Sequence, residues 1–218
     1  MLIDESIDFT LTRFGKTNLR GRTDMPKLGM EPIRKAALVK ATITEIGRVG
    51  SLDVTVSQIA KRAGMSSALA HHYFGSKDEI FLAAMRHVLT LYGAEVRGAL
   101  SLAEGPEARL RGILTASFSA GNFRREVVGA WLNFYVLAQT VPEAKRLLAV
   151  YQRRLRSNLV FALKPLASDR AAEIAEGLGA LIDGLYLREV LKSGPPDASA
   201  AIATALQYLN AQLKGPVA

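Results

Sequence analysis

The sequence predicts an all-α chain: an N-terminal three-helix domain built around a helix-turn-helix, then a larger C-terminal helical domain, about nine helices in all. Three observations carry this. Residues 55–74, TVSQIAKRAGMSSALAHHYF, contain two short helical segments split by one glycine. From residue 76 onward apolar residues recur with a period near 3.6, and no convincing alternating strand pattern interrupts them. The chain has 218 residues, 49% hydrophobic and 22% charged, which suits one large or two modest globular domains rather than a disordered polymer.

Residues 1–24 keep no helical period and carry four acids (Asp4, Glu5, Asp8, Asp24) against four bases (Arg13, Lys16, Arg20, Arg22), so a flexible N-terminal extension is expected there. A DNA-binding domain is expected over 25–78, and the ligand-binding and dimerisation domain over 79–218. The first helix is expected over 32–49, with Leu38, Ala41, Thr42, Ile46 and Val49 at helical spacing and Gly50 as its stop. Thr55 and Gln58 form a T-x-x-Q capping box that starts the second helix at Val56. Ile59, Ala60 and Ala63 share one face of it, and Gly64 can take the positive φ that reverses the chain. Ser66 then caps the third helix. Two helices crossing at roughly 90–120° need small or apolar contact positions. Ala60, Ala63 and Leu69 meet that need, leaving Ser66, Ser67, Ala68, Ala70, His71 and Tyr73 facing outward. A second capping box, Ser76 with Glu79, opens a long helix with Lys77 in its first turn. The remaining helices are expected over 76–102, 106–120, 123–139, 142–164, 168–192 and 197–213. They are separated by Gly105-Pro106, Gly121-Asn122, Pro142, the 165–168 stretch and Gly194-Pro195-Pro196.

This arrangement reads DNA when the third helix enters a major groove. Ser67, Ala68 and His71 are then placed to meet base edges, with Thr55, Ser66 and His72 beside them, while Tyr73 and Lys77 clamp phosphates. Charge agrees: the chain is formally +8 with a pI near 9.9. Between residues 25 and 78 eight bases (Lys27, Arg34, Lys35, Lys40, Arg48, Lys61, Arg62, Lys77) face four acids (Glu31, Glu45, Asp53, Asp78), a net of +4. Half the excess charge thus lies in a quarter of the chain, as a polyanionic partner requires. The chain has no cysteine, which excludes disulfides and thiol chemistry. No apolar run reaches the ~18 residues of a membrane span, and the early acids are unlike a signal peptide, so a cytoplasmic location is expected. His71, His72 and His87 are not arranged with an acid or serine in any catalytic pattern, and neither enzyme activity, metal nor cofactor is expected.

QIAKRAGMS followed by HYFGSKDE resembles the TetR family of bacterial transcriptional regulators, with its Ala-Gly turn, its aromatic pair after the recognition helix and its lysine at the next helix start. Met65 stands where valine is commoner, and Ala70 where an aromatic is common. MPKLGMEPIRK at 25–35, SSALAHHYFGSK at 66–77, AWLNFYVLAQ at 130–139, RRLRSNL at 153–159 and ALIDGLYLRE at 180–189 together are similar to a choline-responsive branch of that family, repressors of glycine betaine synthesis. The resemblance implies a ligand-released repressor of choline-uptake and betaine-synthesis genes, a palindromic operator on double-stranded DNA, and a homodimer made by the last two helices as a four-helix bundle. An efflux-type repressor answering another organic cation or hydrophobic ligand is the alternative. Gly177, Ala180, Leu181, Gly184 and Leu185 form a small-residue stripe on the penultimate helix that suits dimerisation or packing within one chain. Trp131, Phe134 and Tyr135 share one side of a helix, either as core or as the aromatic wall that a quaternary ammonium such as choline or betaine aldehyde needs. Tyr186 would add to that wall. Asp183 is a counter-charge in one reading and a bundle hydrogen-bonding group in the other.

Overall fold

The computed structural model describes residues 29–214; the expected 1–24 extension lies outside them. Nine α-helices and one 3-10 turn follow in order, with no strand among the described residues. α1 (Met30–Val49), α2 (Val56–Arg62) and α3 (Ser67–Phe74) make the N-terminal bundle. α4 (Lys77–Ser101), α5 (Gly105–Ser117), α6 (Arg125–Thr140), α7 (Pro142–Ala167), α8 (Ala171–Leu191) and α9 (Ala198–Leu213) make the body. One continuous apolar core runs from Leu38 of α1 to Leu209 of α9. No helix among the described residues is long and apolar enough to cross a membrane.

Local chemistry explains most boundaries. Both capping boxes form: the Thr55 hydroxyl accepts from Gln58 N at 3.2 Å while Gln58 Oε1 accepts from Thr55 N at 2.7 Å, and Ser76 and Glu79 repeat the exchange. Gly50 ends α1 at φ +76, a left-handed conformation that costs a glycine nothing. Two boundaries differ from expectation. α5 stops at Ser117 because Phe118 turns into the core, edge-on to Phe123 with centroids 5.0 Å apart, and because Ser119 and Asn122 donate to the Glu95 carboxylate rather than continue the helix. α7 runs through Pro165, and the break falls instead at Ser168, which takes φ +42 ahead of a 3-10 turn at Ser168–Arg170. An interior proline costs about 3 kcal/mol; burial of Leu159, Ala162 and Leu163 on the flanking turns holds the helix together.

α6 meets α1 at a crossing made by two glycines. A Cβ on Gly47 would overlap the Cα of Glu126, and one on Gly129 would lie 3.3 Å from the Cα of Gly47. Asn133, buried one turn further along α6, donates to Gly129 O at 2.9 Å and to Gly50 O at 3.4 Å. The N-terminal bundle is therefore held by α6 as well as by its covalent link to α4.

Candidate functional site

The helix-turn-helix assembles as its sequence predicts. Gly64, at φ +70, reverses the chain after α2, and the Ser66 hydroxyl accepts from Leu69 N at 3.2 Å to start α3. Ser66, Ala68, His71 and His72 are exposed, and Ser67 and Tyr73 are half-buried. Ala70 corrects the expected outward set, for it is completely buried. α3 has eight residues and packs against α1, α2 and α4, so Ser67, Ala70 and Phe74 at i, i+3 and i+7 form its inner face; Ala68, His71 and His72 form its outer one. The small side chain of Ala70 lets α3 lie close to the bundle. His71 Nδ1 lies 2.9 Å from the Gly75 carbonyl, so the proton of that contact sits on Nδ1 and the ring is tied to the end of its own helix. Thr55 is exposed, with its hydroxyl engaged in the cap.

Two residues that the sequence reading passed over join this surface. Arg34 Nη1 donates to the Tyr73 hydroxyl at 3.4 Å, and Lys35 Nζ lies 5.9 Å from the Tyr73 ring while pairing with Glu31 at 2.7 Å. Their only sequence signal was charge, since which turn of α1 lies beside α3 is a tertiary matter. Lys77 lies over the Phe81 ring at 5.4 Å, half-buried at the start of α4.

Beneath the surface Glu45 ties α1 to α2. Its buried carboxylate receives Arg48 at 2.9 Å and, on the other oxygen, Arg62. Burial raises its pKa, but hydrogen bonds and charge from the two guanidinium groups outweigh that and hold it below the usual glutamate range. A lowered folded pKa contributes stability that is present above the unfolded value and lost as pH falls through the folded one. Glu45→Gln should therefore cost about 1.5–3 kcal/mol at neutral pH, with the wild-type advantage vanishing in acid. Paired thermal melts between pH 7 and pH 3 check this, and a constant difference across that range would discount the carboxylate charge.

The body gathers a second constellation. Tyr135 of α6 donates to Asp183 Oδ1 of α8 at 2.8 Å. The Trp131 ring lies 4.8 Å from Tyr151 of α7, 6.1 Å from Tyr135 and 6.4 Å from Tyr186. Tyr92 of α4 meets Tyr151 edge-on at 5.6 Å, and Tyr186 donates to the Ser117 carbonyl. Burial raises every one of the four phenols, so they remain neutral. Burial also pushes the Asp183 carboxyl above the ordinary aspartate range, which the Tyr135 hydrogen bond only partly offsets. Asp183 has no lysine or arginine ion-pair partner among the described residues.

A cleft of about 510 Å³ reaches Asp183 from outside between α7 and α8, with Tyr151, Gln152, Arg153, Arg156, Glu176 and Gly179 among its walls. Of the five expected ligand residues only Asp183 lines it. Trp131, Tyr135 and Tyr186 stand behind as a ring cluster, and Phe134, 6.1 Å from Trp131, is fully buried. Tyr92 and Tyr151 were not legible as members, neither having another aromatic three or four residues away in its own helix.

The expected dimer stripe divides. A Cβ on Gly177 would overlap the Tyr208 hydroxyl of α9, so this glycine serves the contact within the chain. Ala180 is exposed, Leu181, Gly184 and Leu185 are half-buried, and Leu187 and Leu191 extend the apolar face at 45% and 74% exposure.

Residues 106–214 match the family described as BetI-type transcriptional repressor, C-terminal, and residues 38–84 match that of bacterial regulatory proteins, tetR family. The chain is 54% identical over 192 residues to the HTH-type transcriptional regulator BetI of Brucella suis biovar 1 (strain 1330), spanning 88% of this chain and 97% of that protein. With BetI of Agrobacterium fabrum (strain C58) identity is 50% over 191 residues, 87% of this chain and 93% of that one. Among solved structures, a transcriptional regulator from Pseudomonas aeruginosa PAO1 superposes with TM-score 0.72 at 27% identity, covering 84% of this chain and 92% of that chain. A regulator from Saccharomonospora viridis, solved in complex with choline, superposes with TM-score 0.74 at 20% identity over 82% and 96%, which shows a shared fold.

Proposed function

This chain belongs to the TetR family of bacterial regulatory proteins, with a C-terminal domain of the BetI repressor type, and on that premise we propose that it is a homodimeric, cytoplasmic repressor released from a palindromic operator by a small quaternary ammonium effector such as choline or betaine aldehyde. The operator is that of choline-uptake and betaine-synthesis genes. The observation that carries the effector is Asp183: a half-buried carboxyl with no cationic partner among the described residues, at the end of an open cleft and backed by neutral aromatic rings. A quaternary ammonium ion supplies the missing charge, cannot donate hydrogen bonds, and gains about 0.5–2 kcal/mol from each aromatic face it meets. Tyr151 and Asp183 hold it, with Trp131, Tyr135 and Tyr186 as the wall behind.

On DNA, Ala68, His71 and His72 face the bases, with Ser66 and Ser67 at the helix start. Tyr73, Lys77, Arg34 and Lys35 take the phosphates. Two copies pair through the exposed α8 face, using Ala180, Leu181, Gly184 and Leu185 with Leu187 and Leu191, so that two recognition helices meet half-sites one helical turn, or a multiple, apart. The effector acts only by binding the low-affinity conformer more tightly, a coupling of about 1–3 kcal/mol. α6 is placed to convey it, carrying Trp131 and Tyr135 toward the effector and Gly129 and Asn133 toward α1, in parallel with a tilt of α4.

Asp183→Asn should keep operator affinity and lose release by choline, which a gel-shift titration reads directly. In the wild type, choline affinity should also fall as pH is lowered, because a carboxyl with a raised pKa takes up its proton earlier and binding must expel it. Release that survives Asp183→Asn, with unchanged pH dependence, would remove Asp183 from the site.

A further inference from the structure

The α7–α8 cleft carries charges of both signs in a fixed order. Arg156 Nε lies 3.8 Å from Glu176 Oε2 across it, which sets the antiparallel register: Arg153 then stands level with Gly179, and Ala149 with Asp183. The backbone of Arg153 is thus one helical turn, about 6 Å along the axis, from the level of Asp183, and its side chain folds back toward that level. Its guanidinium has no carboxylate partner among the described residues; its Nε reaches only the Ala149 carbonyl of its own helix, at 3.4 Å. A Cβ on Gly179, directly opposite, would touch nothing within 4 Å, so the space in front of Arg153 is open. Gln152 adds an amide donor to the same wall. At about 510 Å³ the cleft lies within the range of sites for ligands considerably larger than choline.

We propose that the effector site is bipartite and accepts a zwitterion, a trimethylammonium alcohol esterified to phosphate, with the ammonium on Asp183 and Tyr151 and the phosphate on Arg153. This rests on the quaternary-ammonium reading of Asp183 and deepens it by assigning the rest of the cleft. A planar guanidinium offers several N–H donors to phosphate oxygens, and it lines the same cleft as the Asp183 carboxyl. Arg156, engaged with Glu176, closes the outer end.

Calorimetric titration of the full-length protein with choline and with phosphocholine tests the assignment. Phosphocholine should bind the wild type at least tenfold more tightly than choline. Arg153→Ala should bring the two affinities within about twofold while leaving that for choline unchanged. Arg154→Ala, on an exposed neighbour that does not line the cleft, should preserve the difference and so separate a site from general attraction to a basic protein. Phosphocholine binding no tighter than choline in the wild type, or a difference that survives Arg153→Ala, overturns the bipartite site while leaving the choline reading intact. Failure of both ligands to bind overturns the two together.

Discussion

Replacing Gly47 with alanine will loosen the DNA-binding bundle from the body of the protein. The methyl group would meet the Cα, Cβ and carbonyl oxygen of Glu126, all at the start of α6, so no side chain can swing aside and the helices must separate. Overpacking of this kind costs about 1–3 kcal/mol, and a backbone obstacle puts Gly47 at the upper end. Separation also weakens the approach of Gly129 to α1 and the Asn133 bond to the Gly50 carbonyl. Operator release by choline should therefore become shallower as the melting temperature falls. Gly98→Ala is the control: Gly98 lies in α4 with open space around it, and there alanine should stabilise by about 0.5–1 kcal/mol. A Gly47→Ala protein with wild-type melting and wild-type release would show that α6 does not couple the two parts.

Trp131→Ala will damage every activity at once. The sequence left Trp131 as either core or cation wall; only 5% exposed and within 6.4 Å of four other aromatic rings, it is core, whatever it contributes behind Tyr151. Removing a buried indole costs about 3–5 kcal/mol through lost transfer energy and the cavity left behind. Operator binding, dimerisation and effector response should fail together near physiological temperature. Trp131→Phe, which keeps a ring in the cluster, should fold, bind DNA and respond weakly. Trp131 is the sole tryptophan, so choline titration followed by its emission reports the same cluster in the wild type. A Trp131→Ala protein that melts within a few degrees of wild type would contradict the burial argument.

The helix-turn-helix was legible because its rules are local. A capping box spans three residues, a left-handed glycine acts on its own backbone, and both Thr55–Gln58 and Gly64 do in the structure what the sequence expects. Ala70 was misjudged because an eight-residue helix touching three others has little free circumference, and which side remains free depends on those neighbours. Pro165 misled for the related reason that packing by Leu159 and Leu163 overrides a local break. In the effector region the i, i+3, i+4 spacing placed Trp131, Phe134 and Tyr135 near one another, yet it contained nothing about Tyr92 and Tyr151, which arrive on α4 and α7.

By itself, then, the sequence determined the all-helical class, the order and approximate ends of the helices, the DNA-reading turn and the concentration of basic charge around it. Each depends on interactions within a few residues or on composition, which the chain carries before it folds. Tertiary structure alone decided that Gly47 and Gly129 cross, that Arg34 and Lys35 flank Tyr73, that Gly177 packs on Tyr208 rather than facing solvent, and that Asp183 ends an open cleft between α7 and α8. These contacts join residues tens of positions apart, and their geometry follows from how whole helices fit against one another, a property of the packed core that no single stretch of sequence contains.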